Sequence, residues 1–327
     1  MKVAVVHEAN GPFHLVDRPL PALERGQVLV RVIASGVNPL DAKIRAGAAA
    51  HAAHPFPAVL GMDLAGIVER VGEGVSHFDV GDEVYGFVGG IGGHQGTLAQ
   101  FVAADARLLG HKPRTLSFRE AAVLPLVVIT AWEGLVDRAH TSAGHTVLIQ
   151  GGAGGVGSVA IQIAKARGAR VYATGTPAQF GALRDLGAIP IDYTTTTPTD
   201  YMEQHTGGEG FDVVYDTVGG ATLDASFTVS KRYTGHVVSA LGWGTHALAP
   251  LSFRGATYSG VFTLMPLLLN VGRENHGRIL ESVRQMVEGG QLHPVIDVSR
   301  FSLSEAAAAH QWVASGRATG KVAVDIS

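Results

Sequence analysis

The residues with the clearest chemistry in this chain are Gly152-Ala153-Gly154-Gly155-Val156-Gly157. They fit G-x-G-x-x-G, a spacing suited to a pyrophosphate. Gly152 is expected to make the tight turn, Gly154 to let the anion approach the backbone, and Gly157 to let helix and sheet pack closely. Gly155 and Val156 complete the motif as expected cofactor contacts, and the unpaired N–H groups at the start of the helix that follows can hold the anion. The flanks agree. Thr146–Ile149 is a short apolar run that reads as a buried parallel strand. Ser158–Arg167 carries Val159, Ile161, Ile163 and Ala164 as the packing side of a helix, and Gly168 ends it. Arg170–Ala173 reads as the next strand. A glycine-rich turn alone only connects elements in many proteins. Strand, turn, helix and second strand together point to a dinucleotide site.

The end of that second strand bears on which dinucleotide is bound. A site for NAD(H) usually has an acidic residue about 20 residues on, bonded to the ribose hydroxyls. Here the chain reads Thr174-Gly175-Thr176. A carboxylate would repel a 2′-phosphate, whereas Gly175 leaves room and Thr176 can donate a hydrogen bond. NADP(H) is therefore the expected cofactor.

These residues need a scaffold, and the 327-residue chain is long enough for two domains or one large one. Hydrophobic residues make up 46% and charged residues 16%, a globular balance. A net charge of −3 gives no support to nucleic acid or an anionic membrane as partner. The absence of cysteine excludes disulfides, thiol catalysis and every cysteine-ligated zinc site, and is compatible with a reducing compartment. Met1–Val6 is too short and too strand-like for a secretory signal, so a cytoplasmic location is expected. The apolar runs Ala121–Trp132 and Val261–Val271 each contain proline and fall short of the ~20 residues of a spanning helix.

Up to about residue 110 the chain is β-rich. Strands are expected at Val3–Val6, Gln27–Ile33, Ala65–Val71, Glu83–Gly86 and Leu98–Val102, separated by glycine turns. Ser117 and Glu120 form a capping box at a helix start. Helices and strands then alternate to about residue 260, including strands at Val213–Thr217 and Val237–Ala240, which argues for a parallel sheet covered on both faces. A helix over Ile279–Gly289, a strand over Val295–Val298, a helix over Ser304–Ser315 and a last strand over Lys321–Ile326 follow. This tail is more like the first segment than the middle one. The expected organisation is a discontinuous domain of residues 1–120 and 262–327 with a dinucleotide-binding domain, 121–261, inserted in it.

Several motifs along almost the whole chain carry a resemblance. They are Gly36-Val37-Asn38-Pro39-Leu40-Asp41, Leu60–Gly86, Gly96–Val102, Leu124–Leu135, the glycine turn, and Phe211–Gly220. With these the chain resembles the zinc-free medium-chain dehydrogenases/reductases of the quinone oxidoreductase (zeta-crystallin-like) group. The resemblance implies an α/β fold: a GroES-like β-barrel domain plus a Rossmann domain with a doubly wound parallel sheet. In zinc alcohol dehydrogenases of the superfamily a cysteine, the histidine of a Gly-His-Glu motif and a further cysteine or acid hold the metal. Here those places read Gly61-Met62-Asp63, with Asn38 near the first cysteine position, so no metal site is expected. None of the 15 histidines is paired at metal-binding spacing.

Without a Lewis acid to stabilise an alkoxide, the acceptor needs its own electron sink. Quinones and α,β-unsaturated carbonyls have one, and the nicotinamide does the redox chemistry while the protein positions the reactants. By the resemblance, Asn38 is expected to donate to the substrate oxygen and Thr130 to lie near the nicotinamide. Tyr193, Leu241, Gly242, Arg317 and Lys321 are further expected cofactor contacts. NADPH-binding relatives often have lysine at the place of Gln179, so Arg317 is expected to supply the missing charge. Asp41 and Asp63 read as structural ion-pair partners, and no general acid is evident. Ala256–Val261 resembles an edge strand of the family, from which a homodimer is expected. Two alternatives stay open: a zinc-type alcohol dehydrogenase relative and a non-catalytic NADPH-binding protein.

Overall fold

Short β-branched runs fold into antiparallel strands through the N-terminal part of the chain. The computed structural model describes residues 1–326. Strand β1 (Lys2–Val6) lies between β2 (Phe13–Asp17) and β4 (Ala58–Val59), with β3 (Gln27–Val37) starting a second, larger sheet. That sheet continues through β5 (Asp63–Val71), β6 (Glu83–Phe87), β7 (Phe101–Asp105) and β8 (Leu109–His111). The β3–β5 register shifts twice: Glu69 is the extra residue on β5 where Leu29 gives way to Val30, and Ile33 is the extra residue on β3 between Val32 and Ala34, each irregularity bending the strand that carries it. Its Gln27–Arg31 half pairs with β7.

The parallel sheet begins at β9 (Thr146–Gln150), followed by β10 (Arg170–Gly175), β11 (Ile189–Asp192), β12 (Val213–Asp216), β13 (His236–Ser239) and β14 (Thr257–Gly260). Its order is β11-β10-β9-β12-β13-β14, and every pairing is parallel. The order reverses at β9, so the turn that leaves β9 lies at the topological switch point, where such sheets bind ligands. Leu148, Tyr172, Phe211, Val214, Phe227 and Val237 form one buried cluster on this sheet. The chain returns through β15 (Phe301–Ser302) and β16 (Val322–Asp325); β16 pairs antiparallel with the Ala34–Val37 half of β3.

Contacts divide the chain into Met1–Ile129 with Leu264 onward, and Thr130–Thr263. Among the described residues, no helix is long and apolar enough to cross a membrane.

Three expected elements differ. The strand expected over Leu98–Val102 is Phe101–Asp105, because Leu98 makes only single links, donating to Leu60 O and accepting from Ala4 N. Val295–Val298 forms no strand beyond an isolated bridge from Ile296 to Lys321. Asp297 accepts from the amides of Ser299 and Thr319 there, at 2.8 Å each, and this local bonding holds a loop in place of a ladder. The helix expected from Ile279 begins at Arg273 and runs to Glu288.

Candidate functional site

The glycine turn divides its duties differently from the template. Gly151, one residue before the motif, has the positive φ of 75° that makes the turn. Gly152 has ordinary φ but no room: a Cβ there would stand 2.6 Å from Ala173 Cβ and 2.9 Å from Leu183 Cδ2. Gly157 packs the helix against the turn, where a Cβ would lie 2.2 Å from Gly151 O. Gly154 is exposed, has no side-chain cap, and precedes the 12-residue helix Gly155–Ala166. A Cβ on Gly154 would approach Gly151 O only to 3.3 Å, so its bareness serves the open side of the turn. The first amides of the helix, Gly155 and Val156 among them, have no intrahelical acceptor. Thr174 Oγ1 accepts from Gly151 N at 2.9 Å and donates to Gln150 Oε1 at 3.0 Å, which ties the turn to the end of β10. This cradle fits a dinucleotide pyrophosphate.

Gly175 has a packing role. It is buried, and the space its side chain would fill is taken by Leu183 Cδ1 at 2.8 Å and Gln179 Oε1 at 3.1 Å from the ideal Cβ. Gln179 Oε1 accepts from Thr176 N at 2.9 Å. The residue at the lysine position of NADPH-binding relatives is thus used to cap a turn. Asp192 is in register with Gly175, one strand over. Its carboxylate accepts from Thr194 N, Thr194 Oγ1 and Thr195 Oγ1, and those hydrogen bonds hold it below the usual carboxylate range. Tyr193, the next residue, is exposed.

Sequence reasoning passed over Asp216 and Ser239, at the ends of β12 and β13. Buried Asp216 accepts from Val218 N, Gly219 N and Ser239 Oγ; Ser239 Oγ in turn accepts from Leu241 N at 3.0 Å. The two residues therefore bind the Val218–Gly219 turn to the Leu241–Gly242 turn. The signal was an Asp followed by Thr217-Val218-Gly219-Gly220, a local Asx turn at a strand end. Tyr258 Oη stands only 2.2 Å from where a Gly242 Cβ would lie, so Gly242 is needed for this approach. Thr130 Oγ1 faces Thr263 Oγ1 at 2.9 Å, and Thr130 O accepts from Tyr215 Oη at 2.7 Å.

The second cluster is made by strand register. Val322 pairs with Val37, and Asp63 with Gly36, so Lys321, Asn38 and Asp63 converge where three strands end or begin. Asn38 is the N-cap of the helix Pro39–Arg45, and its amide N–H donates to Asp41 Oδ2 at 2.8 Å. Asp41 Oδ1 also accepts from Gly61 N. Asn38 Nδ2 donates to Asp63 Oδ2 at 2.9 Å, and Asp63 Oδ1 accepts from Leu126 N at 3.0 Å. Lys321 Nζ donates to Val37 O at 2.9 Å and to Asn38 Oδ1. Asn38 is 1% exposed and both aspartates 0%. Burial raises Asp41 to about 7 and Asp63 to about 6, against the pull of Lys321. Burial also lowers the Lys321 ammonium below its ordinary value, with the two aspartates opposing. Lys321, grouped with Arg317 in the sequence, thus gives two of its hydrogens to the Val37–Asn38 backbone and amide. Arg317 stacks 4.4 Å over the Trp312 ring and donates to Ser315 Oγ.

The donors present do not fit zinc. Met62 is fully buried with a thioether, Asn38 presents an amide, and the chain has no cysteine. No group of three His, Cys, Asp or Glu able to hold a metal ion occurs among the described residues.

A glycine cradle at the switch point of a parallel sheet, with a separate antiparallel unit around it in sequence, is the arrangement of a dinucleotide-binding protein. Comparison with known proteins agrees. Residues 24–114 match the alcohol dehydrogenase GroES-like domain, and residues 186–324 match the zinc-binding dehydrogenase family. Over 313 residues the chain is 37% identical to 2-methylene-furan-3-one reductase of Solanum lycopersicum, covering 93% of this chain and 73% of that protein. The same identity and coverage hold for the chloroplastic NADPH-dependent alkenal/one oxidoreductase of Arabidopsis thaliana. An alcohol dehydrogenase superfamily protein from Novosphingobium aromaticivorans superposes with a TM-score of 0.98 at 58% identity over 100% of both chains. The chain belongs to the medium-chain dehydrogenase/reductase superfamily, in its zinc-free quinone oxidoreductase group.

Proposed function

We propose that the protein is an NADPH-dependent reductase of quinones or α,β-unsaturated carbonyls that works without zinc. The observation that carries this reading is the pairing of an intact pyrophosphate cradle with a donor set unfit for zinc. The two plant relatives, named as an alkenal/one oxidoreductase and a furanone reductase, support the conjugated acceptor.

When bound, the nicotinamide supplies the hydride. The amides at Gly155 and Val156 hold the pyrophosphate, and the Thr176 turn receives the ribose phosphate. Leu241 and Gly242, with Thr130, Tyr193 and Arg317, complete the set of proposed cofactor contacts. Asn38 donates to the acceptor's oxygen as negative charge develops there. Its Nδ2 donates to Asp63, which leaves the second hydrogen for this bond.

Purified protein assayed with NADPH and a panel of quinones, alkenals, simple aldehydes and secondary alcohols tests the proposal. Turnover is expected for the conjugated members alone. Tight NADPH binding with turnover of none would favour a non-catalytic nucleotide-binding role. One tightly bound zinc per chain would revive the alcohol dehydrogenase reading.

A cytoplasmic homodimer is part of the proposal. Strand β14 is the outer strand of its sheet, and three of its four residues are exposed. Two such edges can pair about a two-fold axis. Light scattering should give twice the chain mass; the mass of a single chain at micromolar concentration would count against the dimer.

A further inference from the structure

The Asn38 amide lies between partners of opposite kind. Its Oδ1 faces Lys321 Nζ, which can only donate, and its Nδ2 faces Asp63 Oδ2, which accepts. Turning the amide over would set a carbonyl against a carboxylate and an NH2 against an ammonium. In a cluster this buried, both contacts are repulsive with little water to screen them. The orientation is therefore dictated by chemistry and not only by packing.

Each neighbour is itself fixed. Asp63 Oδ1 is bonded to Leu126 N, and Lys321 Nζ to Val37 O. Asp41 takes the Asn38 and Gly61 amides, which sets the position of the Asn38 backbone. The second Nδ2 hydrogen is the one polar hydrogen of Asn38 that this frame leaves unassigned.

We propose that Lys321 and Asp63 are positioning residues that lock the polarity of the Asn38 amide and aim its second N–H at the oxygen of the conjugated acceptor. The inference rests on the proposed reductase activity. It moves Lys321 from an expected cofactor contact to a role exerted through Asn38. A flipped or mobile amide would present Oδ1, an acceptor, where the oxygen of an enolate or hydroquinone anion gathers negative charge.

The test compares wild type, Lys321→Met, Asn38→Ala and the double variant. Lys321→Met should lower kcat about tenfold, part of the 10²–10³ that loss of an oxyanion donor costs. The NADPH dissociation constant, read by fluorescence, should stay within twofold. In the Asn38→Ala background the same change should cost less than twofold, because its target is gone. Side-chain amide NMR gives a readout independent of turnover, with the Asn38 signals assigned by their loss in Asn38→Ala. Wild type should show two distinct Nδ2 hydrogens, one protected from solvent exchange by Asp63, and Lys321→Met, which releases Oδ1, should weaken that protection measurably. Losses that multiply in the double variant, an unchanged kcat, or weakened NADPH binding as the main effect would overturn the proposal. Should Lys321→Met fail to fold, Asp63→Asn is read by the same criteria. A wild type that reduces no conjugated acceptor refutes the activity, while the amide signals still decide whether the lock exists.

Discussion

Gln179→Lys is the substitution that best separates the two cofactors. Gln179 is exposed and spends its Oε1 on Thr176 N at 2.9 Å. Lysine would give up that bond, at a cost of ~0.5–1.5 kcal/mol in stability. It would add a positive charge beside the place proposed for the 2′-phosphate. Two opposite unit charges at ~4 Å interact by ~4 kcal/mol at an effective dielectric of 20 and by ~1 kcal/mol in bulk water. An exposed site lies toward the lower figure, so a gain of ~1.4 kcal/mol, or about tenfold, is expected for NADPH over NADH. Gly175→Asp is a poorer probe, since its Cβ would meet Leu183 and Gln179 before its charge acted on anything. The assay is the ratio of kcat/KM for NADPH to that for NADH, with Tm measured alongside. An unmoved ratio in a folded Gln179→Lys variant would refute the placement of the phosphate at the Thr176 turn. Arg317→Ala is the companion: a fall with NADPH and none with NADH marks it as the phosphate's partner.

Gly157→Ala and Gly154→Ala should part company: the first puts a methyl 2.2 Å from Gly151 O and should lower Tm by several degrees. The second meets only Gly151 O at 3.3 Å, so it should keep Tm while raising the NADPH dissociation constant at least tenfold; equal losses of Tm would refute this division. His246 bonds Asp224 Oδ1 through Nδ1 at 2.8 Å and Trp243 O through Nε2 at 3.1 Å, two acceptors that only the imidazolium satisfies together. The Asp224 hydrogen bond, with the Trp243 carbonyl, holds the imidazole above the ordinary histidine range, so this pair of bonds should be complete below the unperturbed pKa of about 6.5 and lost as pH rises through the raised folded value. Trp243 fluorescence should follow that titration in wild type and be flat in His246→Gln; a pH-independent wild type would contradict it.

The parts legible in the sequence are those whose reasons are local. A strand, a glycine turn and a helix announce themselves between Thr146 and Arg167, and the switch point follows from their place in an alternating order. Ser117 and Glu120 form the capping box expected of them. What could not be read depends on register and contact at long range. Lys321 reads in the sequence as a cofactor contact beside Arg317; only the pairing of Val322 with Val37 brings it to Asn38. Gly175 looked like space for a phosphate, and Leu183, eight residues on, fills that space instead. Gly151 escaped notice because the motif begins one residue later, while the positive φ precedes it. Asp297 looked like part of a strand because its neighbours are apolar, yet its carboxylate gathers backbone amides from both sides.

The central claim is conjugate reduction without a metal, and the fate of the transferred hydride tests it most directly. NADPH carrying deuterium at the transferable C4 position is supplied with an alkenal, in the presence of a strong chelator, and the product is analysed by NMR. The account predicts deuterium on the β-carbon, an intact carbonyl and a rate unaffected by chelation. Deuterium on the carbonyl carbon, with an alcohol as product and activity that needs added zinc, would contradict it.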